Sequence, residues 1–120
     1  MFNPIQFHKT EYNEMVNMKE YDKLIRDKIP DIIEEDGKEY EIDELNDEEY
    51  KEYLKDKLLE ETQEYIRSGD TEELADVLEV VRSILEVEDI KFEKLEEIRR
   101  EKAEERGRFE KKIKLVKVYD

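Results

Sequence analysis

The sequence predicts an all-α protein, and three features of its 120 residues carry that prediction. Proline and glycine are scarce, with two and three residues, so long uninterrupted elements are favoured. The strong helix formers Glu, Lys, Leu and Arg are abundant. Charged residues make up 49% and hydrophobic residues 37%, so each helix must be strongly one-sided to bury a core. We therefore expect a single domain built as an antiparallel helical bundle.

The chain opens with an arm and one short helix. Residues 1–20 show no convincing hydrophobic period, so we expect an amino-terminal arm that precedes a domain at 21–120. Pro30 suits the first turn of a short helix over 31–35. Gly37 follows and accepts the positive φ that ends such a helix.

Three longer helices and a minor β element complete the predicted architecture. The predicted helices are 48–68 after a cap at Asn46 or Asp47, 72–87 after a cap at Asp70 or Thr71, and 90–106 after a cap at Asp89. Gly69 and Gly107 end the first and the last of these. Alternation of apolar residues at 40–42 and at 113–118 predicts two short strands that pair with one another.

Acidic side chains interrupt the apolar faces of the second and third helices. At about 100° per residue, Glu61 falls inside the apolar sector of the second helix and Glu64 lies beside it. Glu73 falls inside the wide apolar arc of the third helix, and Asp76 lies at its margin. The sector is formed by Tyr50, Leu54, Leu58 and Tyr65, and the arc by Leu74, Val77, Leu78, Val80, Val81, Ile84 and Leu85. An arc this wide indicates a central helix or a dimer interface, so we expect a homodimer.

These positions distinguish a few carboxylates from the many acidic residues of the chain. Residues 48–52 repeat the Glu-Glu-x-x-Glu pattern of residues 60–64, but they lie opposite the apolar sector, as a solvated face does. Glu72 likewise points away from the arc that contains Glu73. A carboxylate on an apolar face must be protonated, paired or bound to metal, because an unpaired buried charge is costly.

The inward carboxylates form two pairs, Glu61 with Glu64 and Glu73 with Asp76. Each pair is spaced three residues apart, which places both groups on one helical face. Facing one another on antiparallel helices, the pairs predict an all-oxygen site for Mg²⁺ or Mn²⁺. The chain has no cysteine, and its single histidine, His8, lies in the arm. The alternative is that Lys or Arg side chains neutralise the carboxylates as structural ion pairs.

Two groups of basic residues are candidates for contact with an anionic ligand. They are Arg99, Lys102 and Arg106, on the predicted inward face of the last helix, and Lys23, Arg26 and Lys28 near the start of the domain. Such groups bind phosphates, with Arg suited to bidentate contact. The alternatives are counter-ions of the acidic clusters for the first group and plain surface residues for the second.

The net charge of −15 limits the classes of partner. It argues against broad electrostatic binding to nucleic acid or to an anionic membrane. No apolar run approaches the ~18 residues of a membrane span, and no signal peptide is recognisable, so we expect a cytoplasmic protein. The glycine loops of nucleotide-binding folds and the nucleophile elbow of hydrolases are also missing from the sequence.

Four short motifs occur in a fixed order along residues 21–115. They are Lys23-Leu24-Ile25-Arg26-Asp27-Lys28-Ile29-Pro30, Glu60-Glu61-x-x-Glu64, Glu73-Leu74-Ala75-Asp76, and Lys102 with Arg106-Gly107-Arg108-Phe109. This set resembles the MazG-like nucleotide pyrophosphohydrolases, and within them the short proteins labelled phosphoribosyl-ATP pyrophosphohydrolase-like. Arg108 stands where the family pattern has a second glycine, which adds a charge near the expected phosphates.

The resemblance implies α-helical dimers or tetramers that hydrolyse the α–β phosphoanhydride of a nucleoside triphosphate. The Mg²⁺-binding carboxylates of the family correspond to Glu60, Glu61, Glu64, Glu73 and Asp76, and its remaining polar motif residues to Lys23, Arg26, Asp27, Lys28, Lys102 and Arg106. Glu61 or Glu60 is the candidate to orient or deprotonate the attacking water.

Three functions are open at this point. The first is a house-cleaning pyrophosphohydrolase acting on nucleoside triphosphates. The second is a phosphoribosyl-ATP pyrophosphohydrolase of histidine biosynthesis, which performs the same chemistry on one substrate. The third is a non-catalytic helical protein whose carboxylates form ion pairs or bind a regulatory cation.

Overall fold

A computed structural model of the protein describes residues 18–120, so the predicted arm lies outside the described residues apart from its last three positions. The helices of this part are α1 (Ile29–Glu35), α2 (Asp47–Ser68), α3 (Thr71–Val87) and α4 (Phe92–Arg106). The all-α prediction is thereby confirmed. The chain divides into two compact units, Met1–Val81 and Arg82–Asp120, and α3 runs from the first into the second.

Helix α2 begins at a complete capping box. The Oδ1 atom of Asn46 accepts the backbone N–H of Glu49 at 2.9 Å, and the Oε1 atom of Glu49 accepts the backbone N–H of Asn46 at 3.1 Å. Three acidic residues in the first turn also favour the positive end of the helix dipole. The predicted amino-terminal boundary of this helix is confirmed.

The link between α2 and α3 is only two residues long. Gly69 adopts a left-handed conformation with φ 71°, and its N–H donates to the Tyr65 carbonyl at 2.7 Å. The N–H of Asp70 donates to Ser68 Oγ at 3.1 Å. A link this short turns α3 back along α2, so the two helices form an αα-hairpin, as the sequence predicts.

The predicted cap at Asp89 is wrong. Asp89 instead ends α3 in a left-handed conformation with φ 58°. Its N–H donates to the Glu86 carbonyl, and the N–H of Ile90 donates to the Leu85 carbonyl at 2.8 Å, which is the hydrogen-bond pattern of a Schellman motif. Because Asp tolerates this conformation better than most residues, it serves the preceding helix, and α4 starts only at Phe92.

The predicted minor β element is also wrong, since no strand occurs anywhere in residues 18–120. Residues 40–42 and 113–118 have no regular secondary structure. A strand is held by hydrogen bonds to a neighbouring strand, and neither segment has such a partner in this part of the chain. Alternation over three to six residues is too weak to create a sheet by itself.

The apolar core of the described residues is small. The buried apolar side chains are Ile33, Leu54, Val80 and Leu85. Tyr65, predicted in the apolar sector of α2, is 36% exposed. In the wide arc of α3, Leu74 and Leu78 remain 48% exposed, so this chain alone covers only part of the arc. In the same residues, no helix is both long and apolar enough to cross a membrane.

Replacing Gly69 by Ala is expected to lower the free energy of unfolding by about 1–2 kcal/mol, the cost of a Cβ in the left-handed region. No atom lies within 4 Å of the added Cβ, so the effect comes from the backbone alone. Gly69→Asn is the matched control and should lose less, since Asn adopts this conformation more readily. Urea unfolding followed by circular dichroism measures both, and equal stability of Gly69→Ala and the parent would contradict the assigned role.

Candidate metal centre

The hairpin brings three of the predicted carboxylates together. Glu61 of α2 and Glu73 and Asp76 of α3 each offer one oxygen, and these atoms all lie within 4.8 Å of one another. All three residues are half-buried. We call this group the acidic triad. It forms because Glu61 precedes the turn at Gly69 by two helical turns and the other two follow it by one to two turns.

The structure separates these carboxylates from the acidic residues that the sequence predicts to be solvated. The acidic residues predicted to be solvated are all exposed, namely Glu48, Glu49, Glu52 and Glu72. The side chain of Glu61, in contrast, is only 13% exposed. Position on the helical face, and not the Glu-Glu-x-x-Glu string, therefore distinguishes the half-buried carboxylates from the exposed ones.

Burial and the neighbouring carboxylates perturb the ionisation of Glu73. Burial raises the pKa of its carboxyl above the ordinary value, and the negative charges of Asp76, Glu64 and Glu61 raise it further. A hydrogen bond with Asp76 acts in the same direction. A cation beside Glu73 would offset the negative charges around it.

The triad has the size and chemistry of a site for a hard divalent cation. Around an octahedral ion with oxygen ligands at roughly 2.0–2.1 Å, opposing oxygens are ~4.2 Å apart. Neighbouring ligands of such an ion are ~2.9 Å apart, so the three oxygens, which lie within 4.8 Å of one another, would move closer together to share one ion. Carboxylates are also the ligand type that Mg²⁺ and Mn²⁺ prefer. The acidic triad could therefore hold a metal ion.

The other two predicted carboxylates, Glu60 and Glu64, have basic partners. Glu64 accepts a hydrogen bond from Arg67 at 2.7 Å. Glu60 lies 3.1 Å from Lys23 and 3.3 Å from Lys57. Partial burial works to raise the pKa of Glu60, but the hydrogen bond from Lys23 and the charge of Lys57 outweigh it, so this pKa is lowered.

Residues 21–28 are held against the hairpin by three polar contacts. They are the Tyr53 hydroxyl donating to Asp22 at 2.5 Å, Lys23 donating to Glu60 at 3.1 Å, and Arg26 donating to Asp76 at 2.7 Å. Of the predicted phosphate-binding residues, Arg26 therefore contacts the acidic triad at Asp76, and Lys23 contacts Glu60, the neighbour of Glu61 in sequence. Asp27 and Lys28 are exposed, and their side chains make no polar contact with residues 18–120.

These contacts also give weight to the alternative of structural ion pairs. Arg26 neutralises part of the charge on Asp76, and Lys57 lies 3.5 Å from Glu61 with its side chain only 15% exposed. The sequence interpretation did not single out Lys57. Lys57 lies three residues before Glu60 and four before Glu61. This spacing could have identified it as their ionic partner, since such pairs lie on one helical face.

The basic residues of α4 do not lie on the inward face that the sequence predicts. Arg99, Lys102 and Arg106 are exposed, although they were expected on an inward face. Arg99 donates two hydrogen bonds to Glu96, at 2.9 and 2.5 Å, and these lower the pKa of Glu96. These basic residues are solvated because α4 carries too few apolar residues beyond Leu95 to bury a second face.

Comparison with protein-family models, with curated proteins and with solved structures finds no match. The resemblance to MazG-like pyrophosphohydrolases therefore stays a prediction, and the site is interpreted from its own geometry.

Glu73→Gln is expected to stabilise the protein at pH 7 when no divalent cation is added. The raised pKa of Glu73 means that its proton stabilises the fold at low pH and that this contribution is lost as the pH rises through the folded pKa. The advantage of the variant should therefore shrink below pH ~4, where the parent carboxyl is protonated. Thermal unfolding from pH 3 to 8 measures it, with the exposed Glu72→Gln as control. A variant that is less stable at pH 7 would contradict the assigned repulsion.

Proposed function

We propose that this protein is a Mg²⁺-dependent nucleotide pyrophosphohydrolase that converts a nucleoside triphosphate and water into the monophosphate and pyrophosphate. The observation that carries the proposal is the convergence of Glu61, Glu73 and Asp76 within 4.8 Å. The raised pKa of Glu73 supports it, because perturbed carboxyls cluster at functional sites. The order of motifs noted in the sequence leads to the same reaction class.

The acidic triad holds the metal in this proposal. Bound Mg²⁺ would polarise phosphate oxygens and lower the pKa of a coordinated water. The chain's own contribution is to fix three oxygens on two helices joined by a two-residue link, which limits their relative movement. Mn²⁺ has the same preference for oxygen ligands and would occupy the same site.

Glu60 is suited to orient the attacking water. Its lowered pKa keeps it ionised at neutral pH, which makes it a good hydrogen-bond acceptor and a weak base. Glu61, next to it in sequence, belongs to the triad and is committed to the metal. We therefore assign the positioning of water to Glu60 and ligation to Glu61.

Lys23 and Arg26 would contact the phosphates of the metal-bound nucleotide. Lys23 already lies at Glu60 and Arg26 at Asp76, and both side chains are partly open to solvent, at 40% and 58% exposure. A phosphate that arrives with a cation supplies a new partner for each group, and the guanidinium of Arg26 can bind it in a bidentate manner.

The second candidate is a non-catalytic helical protein, and the observation that favours it is the pairing of Asp76 with Arg26 and of Glu61 with Lys57. In that case the acidic cluster is a structural ion-pair network, as surface clusters often are. A pyrophosphate-release assay over a panel of nucleotides separates the candidates. Turnover of several triphosphates supports the house-cleaning reaction, and turnover of phosphoribosyl-ATP alone assigns the histidine-pathway reaction.

Asp76→Asn should reduce Mg²⁺-dependent pyrophosphate release at least ~100-fold, because a neutral amide is a much weaker ligand for a hard cation than a carboxylate. The matched control is Glu72→Gln, which removes one negative charge from an exposed position on the same helix. Steady-state kinetics with saturating Mg²⁺ measures both variants. Equal activity of Asp76→Asn and Glu72→Gln would exclude the triad as the metal centre.

Arg26→Gln is expected to have opposite effects on metal and nucleotide. Loss of the cation next to Asp76 should tighten Mn²⁺ binding in the absence of nucleotide by roughly three- to tenfold, since one competing positive charge is removed. The same change should raise KM for the nucleotide, because a phosphate contact is lost. Titration calorimetry with Mn²⁺ and steady-state kinetics test the pair of effects, with Lys55→Gln, at an exposed position of α2, as control. A KM equal to that of the parent would leave Arg26 as a counter-ion only.

A further inference from the structure

Tyr53 of α2 makes a contact to which the proposed reaction gives no role. Its hydroxyl donates to the Oδ1 atom of Asp22 at 2.5 Å, and this hydrogen bond joins positions 31 residues apart. The hydrogen bond and the negative charge of Asp22 raise the pKa of the Tyr53 hydroxyl, so the group stays protonated and keeps its donor. Both residues lie outside the motifs on which the resemblance of the sequence rests.

The contact at Tyr53 fixes how the segment before α1 crosses the hairpin. Asp22 and Lys23 are neighbours in sequence. Their partners, Tyr53 and Glu60, lie seven residues apart on one face of α2, which is ~10 Å along the helix. A single contact would let the segment pivot, whereas two contacts separated in this way determine its direction. That direction leads towards Asp76 on α3, where Arg26 makes the third contact.

The three contacts of this segment differ in what a ligand would do to them. Lys23 and Arg26 form ion pairs with carboxylates at the proposed site. A cation at the acidic triad would take Asp76 away from Arg26, and phosphates would attract both basic groups. The hydrogen bond between Tyr53 and Asp22 involves no residue of that site, and the tyrosine carries no charge. It is therefore the contact of the three that ligand binding would leave intact.

We propose that Tyr53 is a positioning residue, which keeps Lys23 and Arg26 beside the acidic triad while their ion pairs give way to a metal-bound nucleotide. It acts through Asp22, which is adjacent to Lys23 and four residues before Arg26. Four residues of extended chain span at most ~14 Å, so the anchored segment holds both groups at a high local concentration near the site. The inference rests on the proposed function, which makes the phosphates the new partners of the two basic groups.

Trypsin cleavage after Lys23 measures how well the segment is held, in the full chain and without metal. Leu24 and Ile25 are half-buried, so the segment must leave the hairpin before it is cut, and mass spectrometry follows the fragment that begins at Leu24. Tyr53→Phe should be cut roughly three- to tenfold faster than the parent, because a hydrogen bond to a charged group is lost. Tyr50→Phe is the matched control, since the Tyr50 hydroxyl has no partner within residues 18–120. Equal rates for the two variants would overturn the proposal.

Addition of Mg²⁺ to the same digestion tests whether Tyr53 still holds the segment when an ion pair is displaced. In Tyr53→Phe, saturating Mg²⁺ should accelerate the cleavage a further two- to fivefold, roughly, because the cation competes with Arg26 for Asp76. In the parent the bond to Asp22 remains, so the rate should change less than about twofold. An equal acceleration in both chains, or none in Tyr53→Phe, would contradict the assigned role.

Steady-state kinetics with the triphosphate that the parent hydrolyses fastest separates positioning from a purely structural role. Tyr53→Phe should raise KM roughly three- to tenfold and change kcat less than about twofold, because phosphate contacts are weakened while the metal ligands stay in place. Asp22→Ala should raise KM by a similar factor. The double variant should resemble either single variant, since both remove the same hydrogen bond. Additive effects on KM, or a fall in kcat with KM unchanged, would overturn the proposal.

The outcomes distinguish the role of Tyr53 from the proposed function. A parent chain that releases no pyrophosphate from any nucleotide would overturn the proposed function, and the role of Tyr53 would fall with it. An active parent whose KM is unchanged by Tyr53→Phe would overturn the role of Tyr53 alone. A raised KM in Tyr53→Phe, with Tyr50→Phe equal to the parent, supports both.

Discussion

Three carboxylates within 4.8 Å of one another repel, and this repulsion is the constraint that the residues around the α2–α3 hairpin must offset. Helices α2 and α3 are joined by two residues, so the hairpin holds these groups together whether or not the contact is favourable. Lys57 on α2 and Arg26 before α1 offset part of this negative charge. Burial and the neighbouring carboxylates also raise the pKa of Glu73, which favours its neutral form.

The same basic residues have a part in both of the proposed functions. Arg26 at 2.7 Å from Asp76 is a counter-ion as the structure stands, and a guanidinium so placed is also well situated for the phosphate of a metal-bound nucleotide. In the proposed enzyme the two roles would follow one another, since a cation bound at the triad would take over the neutralisation of Asp76. This exchange explains how ion pairs and a metal site can occupy one cluster without conflict.

The helices themselves follow from local chemistry that the sequence displays. The capping box at Asn46 and the left-handed Gly69 are determined by residues within four positions of each other, so the boundaries of α2 and the hairpin turn were predictable. Asp89 shows the limit of this approach. Its side chain suits a helix N-cap, but its backbone forms part of the Schellman motif that ends α3. The residue type alone does not show whether Asp89 ends the preceding helix or begins the next one.

The sequence by itself determined the helical class, the hairpin and the acidic residues that leave the solvated face, because periodicity and capping act over a few residues. Only the tertiary structure decided that Lys23 lies on Glu60 and Arg26 on Asp76, contacts that join positions 37 and 50 residues apart. It also decided that residues 40–42 and 113–118 remain without a strand partner within 18–120. Pairing across such distances depends on where the intervening helices place each segment, and no local pattern encodes that placement.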